Sequence, residues 1–187
     1  MLIAALTLLA YFVGGIPFAV PVVRLFNGAD VRTSGSGNVG ARNSLRVAGP
    51  AAGVLVLLLD ACKAAAMALL ARALSPSPWA PALAALAAVV GHCFSPYMLP
   101  ALLRGRWPGW RAASLLSGGV GLASGLGAFL VLAPLPVLPV LAIGAFIMFV
   151  LKRPSEAGAA VALLGPLAVA LLGYPVPVLS AMAAMGA

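Results

Sequence analysis

The chain has 187 residues, 64% of them hydrophobic and only 7% charged, where a soluble domain carries about a quarter of its residues charged. That composition excludes a soluble globular protein and predicts an all-α integral membrane protein, a polytopic bundle whose backbone polar groups are satisfied within each span. The net charge of +8 would raise nucleic-acid binding in a soluble chain; here the basic residues lie between apolar runs, where topology and lipid phosphate account for them and no nucleic acid is implied.

In chain order, Met1–Val23 holds about 20 residues with almost no charge, enough to cross ~30 Å of hydrocarbon at ~1.5 Å per residue, and predicts a first helix over 2–23. The opening "MLIAALTLLA" lacks a basic n-region and "GGIPFAV" is no clean cleavage site, so this helix reads as a retained span rather than a signal peptide. A polar loop at 24–46 leads to a second helix at 47–73, and "SPSP" at 75–78 makes a turn to a third at 79–101. The basic loop "RGRWPGWR" at 104–111 precedes a fourth helix at 115–133, and "APLPVLP" turns the chain into a fifth at 137–151. "KRPSE" at 152–156 separates it from a sixth at 158–173, and "GYPVP" turns again. Pro175–Ala187 reaches only ~20 Å as a helix, too short to cross, and reads as an unfinished seventh span or an interfacial segment. One membrane-embedded domain, 1–187, is expected. Cys62 and Cys93 fit neither a metal site nor a disulfide framework and read as small buried hydrophobes.

Charge orients the bundle. Arg24, Arg32, Arg42, Arg46, Arg104, Arg106, Arg111, Lys152 and Arg153 occupy the odd-numbered loops, nine of the eleven basic residues. That face is therefore cytoplasmic, and the N-terminus lies outside.

The stretch "VRTSGSGNVGARNSLRVAG", residues 31–49, interrupts this apolar pattern. Gly35, Gly37 and Gly40 permit tight turns that bring backbone N–H groups to a ligand. Ser34, Ser36, Asn38 and Asn43 add side-chain donors, and Arg32, Arg42 and Arg46 add forked cations suited to phosphate. The spacing is not that of a Walker loop. A solvated loop joining two spans is the plainer reading; the density of Gly, Ser, Asn and Arg favours a phosphate site. "LSGGVGLASG" at 116–125 offers Gly118, Gly119, Gly121 and Ser124 at a helix start, which suits either phosphate binding or close helix packing. His92 lies within the third span, where an ionisable group is a candidate functional residue. Asp60 and Lys63, three apart on one helical face, pair with each other, chiefly as structure.

At these residues the chain resembles the bacterial acyl-phosphate-dependent glycerol-3-phosphate acyltransferases, the PlsY family. The resemblance covers almost the whole chain in order: "GGIPFAV", then "RTSGSGNVGARN", "LLLDACK", "GHCF" and a Gly-Gly-x-Gly loop. It implies an integral enzyme of the bacterial cell membrane, open to the cytoplasm, in which the 1-hydroxyl of glycerol 3-phosphate attacks an acyl phosphate. No metal, cofactor or covalent acyl-enzyme is implied. By position, Ser36, Asn38 and His92 are the implied catalytic residues, His92 orienting a reacting group. Arg32, Gly35, Gly37, Gly40, Asn43, Arg46, Gly118, Gly119, Gly121 and Ser124 are the implied substrate-binding residues. The chain departs from the family pattern at Val120, where a lysine is usual, at Cys93 for asparagine, at Ser124 for threonine and at Arg42 for threonine. The family's basic segment after the seventh helix has no counterpart up to Ala187. A non-catalytic member that keeps the loop as a binding or partner subunit is the alternative function. A transporter for an anionic solute fits less well, since the span centres are apolar apart from Asp60, Lys63 and His92.

Overall fold

Proline and glycine set most of the helix boundaries. In the computed structural model, which describes residues 1–99 and 121–186, the chain is helical throughout, with no strand among the described residues. The expected first helix at 2–23 is two helices, α1 (Leu2–Gly15) and α2 (Ala19–Asn27). Pro17 has no N–H to continue the ladder and holds Ile16 extended, at φ −59° and ψ 117°. The second expected helix starts earlier: α3 runs Ala41–Leu74, because the polar segment before the span is itself helical. It kinks at Gly49, whose φ of 86° and ψ of 178° leave the helical region immediately before Pro50.

The third helix stops short of expectation. α4 covers Trp79–Cys93, Phe94 leaves helical geometry, and Pro96–Met98 form one 3-10 turn. α5 (Leu122–Leu132), α6 (Pro134–Phe149), α7 (Pro154–Leu171) and α8 (Val176–Gly186) follow. α6 and α7 start three and four residues before the expected 137 and 158, each with proline in its first turn, a position where the missing N–H costs nothing. The expected start of the fourth span, at 115, lies outside the described residues, as do Gly118, Gly119 and Val120. Leu2–Asn27 and Ala41–Leu74 are long and apolar enough to cross a membrane; the other described apolar helices are shorter.

Packing is inverted relative to a water-soluble protein. The core between α1, α3, α4, α5 and α8 is built largely of alanines, among them Ala10, Ala64, Ala68, Ala84 and Ala88, all fully buried. Large apolar side chains such as Leu8, Leu58, Leu69, Phe146 and Leu163 face outward. Small residues inside let helix backbones approach while dispersion and lipid entropy hold them. A Cβ on Gly91 would strike the carbonyl oxygen of Tyr11, one on Gly14 the backbone of Ala88, and one on Gly127 the carbonyl of Ala61. Cys62, expected to be buried, instead lies exposed on α3, and Cys93 is half-buried.

The turns α3–α4, α5–α6 and α7–α8 gather at one end, where Arg72, Ser75, Leu132 and Tyr174 line a shared cleft. There Arg72 donates to the carbonyl of Val131 at 2.6 Å. The packing predicts that Gly91→Ala costs about 1–3 kcal/mol through overpacking against the α1 backbone. Gly125→Ala, where a Cβ meets nothing within 4 Å, should leave stability level or raise it by up to about 1 kcal/mol through helix propensity. Thermal unfolding in detergent, read side by side for the two variants, checks the contrast.

Candidate functional site

The 28–40 loop is shaped by two polar side chains. Asp30 takes hydrogen bonds from Arg32 Nε at 2.8 Å, Arg32 Nη2 at 2.6 Å and the Arg32 backbone N–H at 3.0 Å. Arg24 reaches the same carboxylate at 3.5 Å. The side-chain hydrogen bonds from Arg32 hold the Asp30 carboxyl below its ordinary pKa against the opposing effect of partial burial, and the same bonds raise that of Arg32.

Asn43, in the first turn of α3 and 2% exposed, laces the rest of the loop. Its Nδ2 donates to the carbonyls of Val31 at 3.0 Å, Ser34 at 3.0 Å and Asn38 at 2.9 Å. Its Oδ1 accepts the backbone N–H of Ser36 at 2.9 Å. The turn closes only because Gly35 and Gly37 adopt φ of 60° and 77°, a region costly for residues with a Cβ. A Cβ on Gly35 would also collide with Asn43 Oδ1.

Around this knot lie the candidate residues of the first loop. Ser36 is exposed and its Oγ accepts the Asn38 N–H at 3.4 Å. Asn38 is half-buried, and Gly40 caps α3. Arg42 and Arg46 are exposed, one turn apart on α3. Asn27, at the end of α2, donates to the carbonyl of Val47 at 2.7 Å. That bond occupies an acceptor beside the kink, where the helix ladder is interrupted.

A second cluster is buried between the helices. Lys63 Nζ lies 2.8 Å from Asp60 Oδ1, 2.9 Å from His92 Nδ1 and 2.9 Å from the carbonyl oxygen of Ile16. His92 Nδ1 is 3.5 Å from Asp60 Oδ1. Neither carboxylate oxygen of Asp60 has a hydrogen-bond partner among the described residues, so Lys63 meets Oδ1 as an ion pair. The expected Asp60–Lys63 pair is present, but it is part of a larger unit that takes in His92 and the broken end of α1. Ser95 donates to the carbonyl of Gly15 at 2.5 Å, and Tyr11 donates to that of Phe94 at 2.9 Å. Both bonds pin the α1 break to the end of α4.

Of the second glycine island, Gly118 and Gly119 lie outside the described residues. Gly121 caps α5 with φ of 78°, and a Cβ there would lie 3.1 Å from Cys93 Sγ. This end of the island therefore borders the His92 turn. Ser124 is fully buried and donates to the backbone carbonyl of Asp60 at 3.0 Å. The loop and the buried cluster are linked through α2: Lys63 holds its entry at Ile16, and Asn27 ties its exit to α3. Asn27, Asp30, Ser95 and the Ile16 carbonyl were not anticipated. Pro17 was the available signal for the last, since a helix broken by proline frees carbonyls that a nearby cation can meet.

Residues 4–187 match the family model described as glycerol-3-phosphate acyltransferase. A glycerol-3-phosphate acyltransferase of Rubrobacter xylanophilus is 40% identical over 177 residues, covering 95% of this chain and 80% of that protein. One from Myxococcus xanthus is 46% identical over 132 residues, covering 70% and 60%. The crystal structure of PlsY, an integral membrane glycerol 3-phosphate acyltransferase, in its glycerol 3-phosphate form aligns with a TM-score of 0.83 at 29% identity, over 100% of this chain and 85% of that one. Its lysophosphatidic acid form aligns over the same shares with a TM-score of 0.81.

Asn43→Ala leaves three loop carbonyls and one N–H without their partner, and should cost about 3 kcal/mol of local order. Hydrogen exchange across residues 31–40 measures it, with Gly125→Ala as an unaffected control. Because the Asp30 value is depressed in the folded chain, its pairing stabilises above the ordinary carboxylate value and is lost as pH falls through the lowered one. Thermal stability should therefore drop between about pH 5 and about pH 3, and Asp30→Asn should remove part of that drop.

Proposed function

The chain belongs to the glycerol-3-phosphate acyltransferase family, and on that premise we propose that it transfers an acyl group from acyl phosphate to the 1-hydroxyl of glycerol 3-phosphate. The new ester C–O bond forms as the acyl C–O bond to phosphorus breaks. Lysophosphatidic acid and inorganic phosphate leave, the hydroxyl proton being counted with the phosphate.

The observation that carries this reading is the Asn43-laced loop. It holds Ser36 and Asn38 on a fixed turn beside the exposed Arg42 and Arg46. Such a surface gathers a dianionic headgroup: forked guanidinium groups meet phosphate oxygens, and the side chains of Ser36 and Asn38 stand on a turn that needs no reordering. Asn43 supports the loop from beneath, and Ser124 secures α5 to α3. We assign substrate contact to Ser36, Asn38, Arg42 and Arg46. Acyl phosphate brings its own leaving group, so positioning two anions and offsetting developing charge is the main task left to the protein.

The outward-facing leucines and phenylalanines support a bundle embedded in the bacterial cell membrane, with six spans and a short seventh helix. We place the N-terminus outside and the 28–40 loop on the cytoplasmic side, where most of the basic residues fall. In that arrangement the polar head meets the loop at the water boundary while the acyl chain stays among lipid.

Purified protein in lipid, supplied with labelled glycerol 3-phosphate and palmitoyl phosphate, should form lysophosphatidic acid, while palmitoyl-coenzyme A in place of the phosphate should give none. Ser36→Ala should lower turnover on the order of 100-fold. Product from the thioester alone would reassign the donor. No product from either, with Ser36-dependent binding of glycerol 3-phosphate intact, would leave a binding subunit in place of an enzyme.

A further inference from the structure

Lys63 has no part in the reading above, yet its surroundings fix the chemistry of its neighbour. An ammonium carries three N–H donors and no acceptor. Two of them meet the Ile16 carbonyl at 2.9 Å and His92 Nδ1 at 2.9 Å, and the charge is paired with Asp60 Oδ1 at 2.8 Å. The contact with His92 forms only when Nδ1 offers a lone pair. A proton on Nδ1 would point at an N–H donor across 2.9 Å, and a doubly protonated ring would set a second positive charge against the ammonium. The competing arrangement, Nδ1–H donating to Asp60 Oδ1, spans 3.5 Å, the outer limit for such a bond.

We infer that Lys63 is a positioning residue that locks His92 into the tautomer carrying its proton on Nε2, so that His92 presents a hydrogen-bond donor, and not a base, to the reactants. His92 is 5% exposed, and Nε2 has no partner among the described residues. An Nε2–H that no described residue accepts is open to an acceptor on the substrate. The next residue, Cys93, lies against the Gly121 cap of α5, so the turn that carries His92 borders the second glycine island. The oxygens that gain negative charge during acyl transfer, on the acyl carbonyl and on the departing phosphate, are acceptors for such a donor. The hydroxyl proton is then not taken up by His92. This consequence for turnover rests on the acyltransferase reading; the tautomer rests on the cluster geometry alone.

His92 is the single histidine of the chain, so 15N-histidine labelling of the whole protein, purified in lipid through a histidine-free tag, reports one imidazole. The expected spectrum at neutral pH has an unprotonated Nδ1 and a protonated Nε2. A proton on Nδ1, alone or together with Nε2, overturns the inference, and this measurement needs neither a variant nor turnover. Lys63→Met removes the donor facing Nδ1 and should give mixed tautomers, with kcat lower on the order of 100-fold and KM for glycerol 3-phosphate little changed. A spectrum identical to the wild type in that variant overturns it as well. His92→Gln, whose amide N–H reaches the Nε2 position, should retain more activity than His92→Asn, whose amide reaches Nδ1; the reverse order removes the donor role. Wild-type protein with the expected tautomer but no turnover on either acyl donor would sink the acyltransferase reading and leave the lock in place.

Discussion

A buried ammonium needs partners and finds no water to supply them. In this chain the partners come from three places: the broken end of α1, the neighbouring turn of α3 and the last turn of α4. Satisfying Lys63 therefore fixes where three helices stand relative to one another. Removing any one partner would strand charge in a low-dielectric interior, where breaking a pair costs more than the pair contributes. Ser124 adds α5 to the same knot through the Asp60 carbonyl. The alanine and glycine packing around it then sets the helix spacing, since backbones in contact tolerate little sideways shift.

The 28–40 loop inherits its position from this knot. α2 is held at its entry by the Ile16 carbonyl and at its exit by Asn27 on Val47. Beyond it, Asp30 and Asn43 take up the polar groups that a tight turn would otherwise leave unmet. The division of labour is chemical. The buried carboxamide of Asn43 and the half-buried carboxylate of Asp30 build the turn, and the hydroxyl of Ser36 and the guanidinium groups of Arg42 and Arg46 are left exposed.

Much of this was legible in the sequence, for identifiable reasons. Length and apolarity marked the helical segments, and the density of Gly, Ser, Asn and Arg at 31–49 marked the loop. The pairing of Asp60 with Lys63 followed from their three-residue spacing. The link from Lys63 to His92 did not, because no local period connects residues on separate helices. For the same reason the inward turn of Asn43 was hidden: an asparagine that shapes a loop and one that contacts a ligand look alike in sequence. The breaks at Pro17 and Pro96 were visible as prolines, but apolar runs tempt the eye to carry a helix through them. Cys62 faced the wrong way in the reading because thiols are common in cores, whereas in a bilayer the outside is apolar too.

The kink at Gly49 separates two mechanical units of α3. The 25 residues from Pro50 to Leu74 are ~37 Å long as a helix, about 7 Å more than the ~30 Å hydrocarbon layer they cross. Such a span must lean to hide its excess, and its lean changes with membrane thickness. A rigid helix would transmit that rocking to Arg42, Asn43 and Arg46. With the ladder broken at Gly49 and the short polar arm anchored to α2, the greasy shaft can adjust to thicker or thinner bilayers while the arm keeps its register with α2.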